Sequence, residues 1–201
     1  MFYNYVDIGT SDFDTAADVA KPGDHVLLVE PVKYYLDRIP NANNQVKVHA
    51  GVSSASGTMP VYYVPDITIH TFNLPGWIRG CNSIGTRHPT VDSLLTSMGL
   101  PLSLVAKVNV NVITFEQLCS QYQVTEIDKL KIDTEGHETF ILPSVFEMVR
   151  AGMVINEIKF ENQEVLGNKQ FLDLLAEQFV LLGNYTISEV TPMDTTLTRR
   201  K

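Results

Sequence analysis

Residues 25–31 read HVLLVEP, an apolar run that ends in Glu30 and Pro31. A strand without polar alternation is buried on both faces, and a parallel sheet covered by helices is the arrangement that buries both. No other stretch narrows the fold as far, and its neighbours agree with it. YVDIG (5–9) reads as a strand, SDFDTAADVA (11–20) is compatible with a helix, and Pro22-Gly23 closes that unit. VKYYLDRI (32–39) reads as a helix and VKVHAGVS (46–53) as a third strand. Three strands joined by helices form a βαβαβ half, the nucleotide-binding half of a doubly wound sheet.

The rhythm breaks in the middle. MPVYYVP (59–65) alternates like an exposed strand, while NLPGWIRGCNSIGTRHPT (73–90) is rich in glycine and proline and reads as loop. An irregular segment of that length inside a compact domain is usually a lid or a binding loop. VDSLLTSMG (91–99) reads as a short helix ended by Gly99. Alternation then resumes: a strand in AKVNVNVITF (106–115), a helix in EQLCSQYQ and a strand in KLKID (129–133). PSVFEMVRAG (143–152) reads as a helix with Pro143 near its start and Gly152 past its end. VINEIKFE (154–161) is a strand, KQFLDLLAEQF (169–179) a helix, and VLLGNYTISEV with TTLTRR an antiparallel hairpin. The expectation is one domain over residues 1–201, with an irregular insertion or lid at about 57–100.

Charge excludes some functions. The formal net charge of −8 repels phosphate backbones and anionic membranes, so nucleic acid is not an expected partner. The basic TRRK at 198–201 reads as a solvated tail. No apolar run approaches the roughly 20 residues of a membrane span, and MFYNYVDIGT does not resemble a secretory signal. Cys81 and Cys119 suit neither a zinc site nor a disulfide framework, which favours a cytoplasmic setting.

Two places concentrate chemistry. Asp7 and Gly9 end the first strand, and Glu30 ends the second, 21 residues after Gly9. An acidic residue there can accept the ribose hydroxyls of a bound nucleoside, a device used for NAD and for S-adenosyl-L-methionine (SAM) alike. A dinucleotide brings a pyrophosphate that needs several glycines. Here Gly9-Thr10-Ser11-Asp12-Phe13 has one, and Asp12 and Asp14 would repel phosphate. SAM, with an amine and a sulfonium, suits this loop better; a turn that binds nothing is the bland alternative.

The second place is LKIDTEGHE (130–138). Asp133, Glu135, His137 and Glu138 are metal-ligand types, but D-x-E-x-H-E has no partner cluster elsewhere in the sequence, and no metal is expected. Glu138 can instead serve as negative charge at a helix start. The third reading is catalytic, with one of these groups as general base facing a cofactor.

VDIGTSDFDT, LLVEP, GVSSASG, CNSIG, VITFEQL and IDKLKIDTEGHETFIL occur in this order, and together they resemble FkbM-type SAM-dependent methyltransferases. The resemblance covers about residues 5–160. It implies a Rossmann-like, doubly wound α/β fold: a seven-stranded, mostly parallel sheet with helices on both faces and an antiparallel strand near the carboxyl end. It implies that Asp7, Gly9 and Thr10 face the methionine part of SAM, Glu30 its ribose, and Ser53 and Ser54 its adenine, with Ser83 in a segment folding over the cofactor. It further implies Asp133 near the reactive methyl, with Glu135 and His137 beside the acceptor. Phe13 stands where relatives carry a later glycine. The expected reaction is O-methylation of a sugar, glycan or other polyhydroxylated small molecule. Trp77, Arg79, Arg87 and His88 are candidates to line the acceptor site, although Trp77 can equally pack the loop on the core. The rival readings are a SAM-binding scaffold without catalysis and a metal-dependent hydrolase centred on Asp133 and Glu135.

Overall fold

The computed structural model describes residues 1–200; Lys201, the end of the basic TRRK, lies outside the described residues. The first half contains β1 (Phe2–Ile8), α1 (Ala16–Val19), β2 (Val26–Val29), α2 (Lys33–Arg38) and β3 (Gln45–Val48). Next come β4 (Gly51–Val52), β5 (Gly57–Tyr63), α3 (Asp66–Thr71), β6 (Ser83–Ile84), α4 (Pro89–Ser97) and β7 (Ala106–Ile113). The chain continues through α5 (Phe115–Gln121), β8 (Glu126–Ile132), α6 (Glu138–Arg150), β9 (Val154–Glu161) and α7 (Lys169–Leu182). It closes with β10 (Tyr185–Val190) and β11 (Asp194–Arg199).

Seven strands form one sheet in the order β10-β11-β9-β8-β1-β2-β3. The five strands from β9 to β3 are parallel, and β11 runs antiparallel between β9 and β10. All four residues of β2 are buried, as its unbroken apolar run requires. Leu27 and Val29 join the cluster built with α5, α6 and α7, including Phe115, Leu142, Phe146 and Phe179. Val26 and Leu28 face the other way, onto Ala16, Leu36 and Ile39 around α1 and α2. The sheet therefore carries helices on both faces. Chain order reverses between β1 and β8, which opens a crevice at their carboxyl ends.

Several elements differ from the sequence reading. The helix read at 11–20 shrinks to Ala16–Val19, because Ser11 and Asp14 adopt left-handed backbone, with φ of 50° and 52°. The strand read at 46–53 is two strands in different sheets, β3 and β4. Gly51 permits the second: a Cβ there would lie 2.8 Å from Ile84 Cδ1 and 3.0 Å from Val112 Cγ1. Residues 57–100 hold regular structure, and β4, β7, β5 and β6 form a second, four-stranded sheet in that order. The loop reading of 73–90 gives way to a 3₁₀ turn at Gly76–Arg79, β6 and the start of α4. Pro143 lies inside α6, not at its start, because α6 begins at Glu138. Among the described residues no helix is long and apolar enough to cross a membrane. Cys81 and Cys119 are both free.

Candidate functional site

Four adjacent strands, β2, β1, β8 and β9, end level with one another. Val29, Ile8, Ile132 and Phe160 pair in one row across the sheet. Glu30, Gly9, Asp133 and Glu161 follow immediately, so the crevice is edged by three carboxylates and one glycine. Asp7 lies one residue before Ile8 and is fully buried.

Asp7 Oδ2 accepts hydrogen bonds from Thr10 Oγ1 at 3.0 Å and from the Ala16 amide at 2.7 Å, which fixes the loop after β1. Its Oδ1 is buried without a partner. Burial raises the Asp7 carboxyl to about 6, against the charge of Lys131 and the two hydrogen bonds. Gly9 has a φ of +84°, and a Cβ on it would stand 1.8 Å from the Asp133 carbonyl oxygen. Glu30 accepts from the Ser11 amide at 2.8 Å and the Val32 amide at 2.7 Å, one bond to each oxygen. Burial lifts its carboxyl to about 7. These bonds occupy two of the roughly four acceptor positions of a carboxylate.

The turn after β8 is tight: Glu135 and Gly136 have φ of +53° and +100°. Glu138 holds it, accepting from the Thr134 amide and hydroxyl, each at 2.6 Å, and from the Gly136 amide at 3.0 Å. The helix-start reading of Glu138 therefore fits its contacts. Burial raises it to about 7. Asp133 Oδ2 lies 3.3 Å from Lys131 Nζ, which also reaches the Asp14 carbonyl at 2.9 Å. Burial raises Asp133, and Lys131 opposes the rise. Burial would lower Lys131, but Asp7, Asp133 and Asp14 hold its ammonium above the ordinary value. Glu135 and Glu161 are both pushed well above the carboxylate range, first by burial and then by neighbouring negative charge.

His137 is buried, with Nε2 2.9 Å from Ser53 Oγ and its ring stacked on Phe140 at 4.6 Å. Burial lowers it to about 4, so it is neutral at physiological pH. Ser54 is exposed, and Ser83 is buried with Oγ donating to the Thr86 carbonyl at 2.6 Å. His88 Nδ1 accepts from the Thr90 amide at 3.2 Å, which leaves the proton of the neutral ring on Nε2. That nitrogen is 2.9 Å from Glu135 Oε2, without a well-directed hydrogen bond.

Three cavities lie along the crevice. The cleft walled by Gly9, Glu30 and Val52 on one side and by Gly80, Asn82 and Ile84 on the other encloses about 20 Å³, room for roughly one water. A cavity of about 60 Å³ is lined by Thr10, Phe13, Lys131, Asp133 and Glu135. A pocket of about 250 Å³ is lined by Ser83, Arg87, His88, Glu135, His137 and Phe140.

Of the loop residues, Arg87 and His88 line that pocket, whereas Trp77 is exposed and lines none of the three. Arg79 belongs to a ring of charges. It binds Asp12 at 2.6 Å and Asp66 at 3.1 Å, and Arg38 reaches the same two carboxylates at 2.8 Å each. The ring joins the loop after β1 to α2, α3 and the 3₁₀ turn. Phe13 belongs to the same junction, since a Cβ on Gly80 would come 3.0 Å from its ring. A large residue at 13 is thus matched by a glycine at 80. Sequence reasoning missed Lys131 and Glu161. Glu161 had a usable signal, since it closes an apolar strand as Glu30 does.

The Methyltransferase FkbM domain profile matches residues 7–184. A solved structure, described as methyltransferase FkbM from Methylobacillus flagellatus, is similar in fold, with a TM-score of 0.53 and 14% sequence identity. The alignment covers 98% of this chain and 44% of that one, so the chain spans less than half the length of that relative. No curated protein matches the sequence. With the profile spanning most of the chain and strand order, crevice and acidic strand ends all in agreement, this chain belongs to the FkbM methyltransferase family.

Proposed function

We propose that the chain is a SAM-dependent methyltransferase that acts on a hydroxyl of a sugar, glycan or other polyhydroxylated small molecule. The observation that supports this most is the unpartnered, fully buried Asp7 Oδ1 at the crevice where strand order reverses. A buried acceptor without a donor is costly, and an ammonium group would satisfy it. Glu30 has acceptor positions left for two ribose hydroxyls. The cleft as it stands holds about one water, so residues 80–84 must swing away from β1 and β2 to admit a nucleoside; Pro31, Val52 and Ile84 then supply apolar walls for a purine, with Ser53 and Ser54 at the same strand end. Thr10 acts through Asp7, and Gly9 keeps side-chain atoms out of the approach.

When bound, the cofactor supplies an electrophilic methyl: the acceptor oxygen bonds to it as the carbon–sulfur bond breaks, the electron pair stays on sulfur, and the hydroxyl proton leaves. The chain must align the acceptor and receive that proton. His137 is poorly suited to receive it, being held neutral with Nε2 turned to Ser53. Asp133, which lines the cavity between cleft and pocket and is paired with Lys131, is better placed, with Glu135 beside it to orient the acceptor. Residues 80–84 act as a lid on the cleft, and Ser83 stiffens their turn through Thr86. The 250 Å³ pocket, somewhat below the roughly 300 Å³ of common ligand sites, fits one small ring.

Calorimetric titration with SAM and S-adenosylhomocysteine, followed by labelled methyl transfer to a panel of hydroxylated acceptors, tests the reading. Saturable binding of both ligands is expected. Asp133→Asn should then lose about 10²–10⁴-fold in turnover while keeping its SAM affinity. Intact protein that binds neither adenosyl ligand would end the proposal, and normal turnover in Asp133→Asn would end the assignment of the base.

A further inference from the structure

Asp133 follows β8, Glu135 sits in the next turn and Glu161 closes β9. One carboxylate oxygen from each lies within 4.8 Å of the other two. Among the described residues, Lys131 on Asp133 is the only lysine or arginine ion-paired with any of the three. Three carboxylates against one ammonium leave a formal charge of −2 in a partly buried space.

Glu161 is 4% exposed, and although Gln163 donates to Oε1, its Oε2 has no partner. Asn162, the next residue, is turned away from the cluster, its Nδ2 donating to Asp173 Oδ1 at 2.8 Å and to Thr195 Oγ1 at 3.2 Å. Buried acceptors without donors are uncommon. The Glu161 oxygen belongs to a set of carboxylates that repel one another. A small cation relieves the repulsion and completes that oxygen together, because hard divalent ions take carboxylate oxygens as ligands.

We infer that Asp133, Glu135 and Glu161 form a binding site for one hard divalent cation of the Mg²⁺ or Mn²⁺ type. The ion sits beside the pocket that Glu135 also lines, and its open coordination positions take the acceptor's oxygen. Its binding stands independently of the proposed methyl transfer, whereas its role rests on that reading. There, the cation acidifies the acceptor hydroxyl. Each carboxylate offers the ion one oxygen, so the second oxygen of Asp133 takes the hydroxyl's proton, the oxygen–carbon bond forms, and the carbon–sulfur bond breaks with its electron pair kept by sulfur. The sequence offered no partner cluster for D-x-E-x-H-E; β9 supplies it in space, 26 residues beyond Glu135.

A softer ion has a rival set nearby, since Cys81, His88 and Glu135 also come within 4.8 Å of one another. That set is less ready. His88 Nε2 carries the ring proton, because Nδ1 accepts from Thr90.

Mn²⁺ titration of the intact, EDTA-treated and dialysed protein, read by electron paramagnetic resonance, should show one bound ion per chain. Saturating Mg²⁺ should compete with it and raise the melting temperature. Glu161→Gln and Glu135→Gln should each weaken Mn²⁺ at least tenfold. Neither should melt lower than the parent without metal, since the amide keeps the side chain's shape and takes one acidic group out of a crowded set. Absence of bound Mn²⁺, or Mn²⁺ affinity unchanged in both variants, would overturn the site. So would binding of Zn²⁺ alone that is lost in Cys81→Ser and kept in Glu161→Gln. SAM titrated in EDTA separates the two claims. SAM bound by a protein that takes no Mn²⁺ refutes the cation site alone. Mn²⁺ bound as expected by a protein that ignores SAM supports the site and refutes the methyl-transfer reading.

Discussion

Gly9→Ala is the sharpest test of how the crevice is built. The Gly9 amide donates to the Val29 carbonyl at 2.9 Å, and the Asp133 amide donates to the Ile8 carbonyl at 2.9 Å. The residue is thus held where β1 passes between β2 and β8. Its φ is +84°, and an added Cβ would lie 1.8 Å from Asp133 O and 3.2 Å from Thr134 Cγ2. Contact between carbon and oxygen needs more than 3 Å, so the backbone of one loop must shift by over about 1 Å. Left-handed backbone costs alanine roughly 1–2 kcal/mol, and overpacking adds about 1–3 kcal/mol. The sum, about 3 kcal/mol, corresponds to a melting temperature lower by roughly 6–12 °C for a chain of this size. Urea and thermal unfolding measure it, with Gly76→Ala as control, because no atom lies within 4 Å of a Cβ there. The control should change stability by no more than about 0.5 kcal/mol. SAM titration of Gly9→Ala should show a loss of at least tenfold in affinity, since Gly9 lines the cleft beside Glu30 and the same shift moves that wall. A Gly9→Ala protein as stable as Gly76→Ala would refute the account of the crevice.

Three further outcomes follow from the same geometry. Asp7, Glu30 and Glu138, raised to about 6, 7 and 7, are each stabilising below their unfolded values near 4 and lose that contribution as pH rises through the folded ones. His137, lowered to about 4, acts oppositely between pH 4 and 6.5, but it is one group against three. Ligand-free protein should therefore lose more than about 1 kcal/mol between pH 5 and 7.5 in urea titrations; stability that rises over that interval contradicts the burial argument. Glu30→Gln turns one oxygen into a donor facing the Ser11 or Val32 amide, so it should cost about 1–3 kcal/mol in unfolding titrations and weaken SAM at least tenfold by calorimetry. Arg79→Ala opens the ring on Asp12 and Asp66 and should speed hydrogen exchange at residues 76–84; unchanged exchange would mean the ring does not hold the lid.

The large sheet was legible because its signals are local. Four consecutive buried apolar residues in β2 declare a two-faced strand, and the alternation of strand and helix then sets its neighbours. The second sheet was not legible. β4 has two residues and β6 has two, too short for a period to register, and β7 pairs with β5 across more than forty residues. The short α1 was hidden for another reason. Ser11 and Asp14 take left-handed backbone to wrap Asp7 and Glu30, a tertiary demand that overrides helix propensity. In the site, Asp7, Glu30 and Asp133 were readable because each ends a strand. The engagement of His137 with Ser53 was not, since those residues are 84 apart in sequence and meet only when β4 leaves the main sheet.

The row at the strand ends explains why so much acid is tolerated in one crevice. Neighbouring strands lie about 4.8 Å apart, so aligned ends bring Glu30, Asp133 and Glu161, with Asp7 just below, into one band of negative charge. The fold spends backbone amides on three of the carboxylates around it: Ala16 on Asp7, Ser11 and Val32 on Glu30, Thr134 and Gly136 on Glu138. It spends Lys131 on Asp133. What remains is an unpartnered oxygen at Asp7 on β1 and another at Glu161 on β9, with β8 and Asp133 between them. Packing alone would favour apolar residues at both positions, as removing a buried charge usually does. The two proposed ligands would complete them, an ammonium at Asp7 and a metal ion at Glu161. The two sites then predict a shared signature: each ligand should flatten the loss of stability with rising pH, because each compensates the charge that causes it.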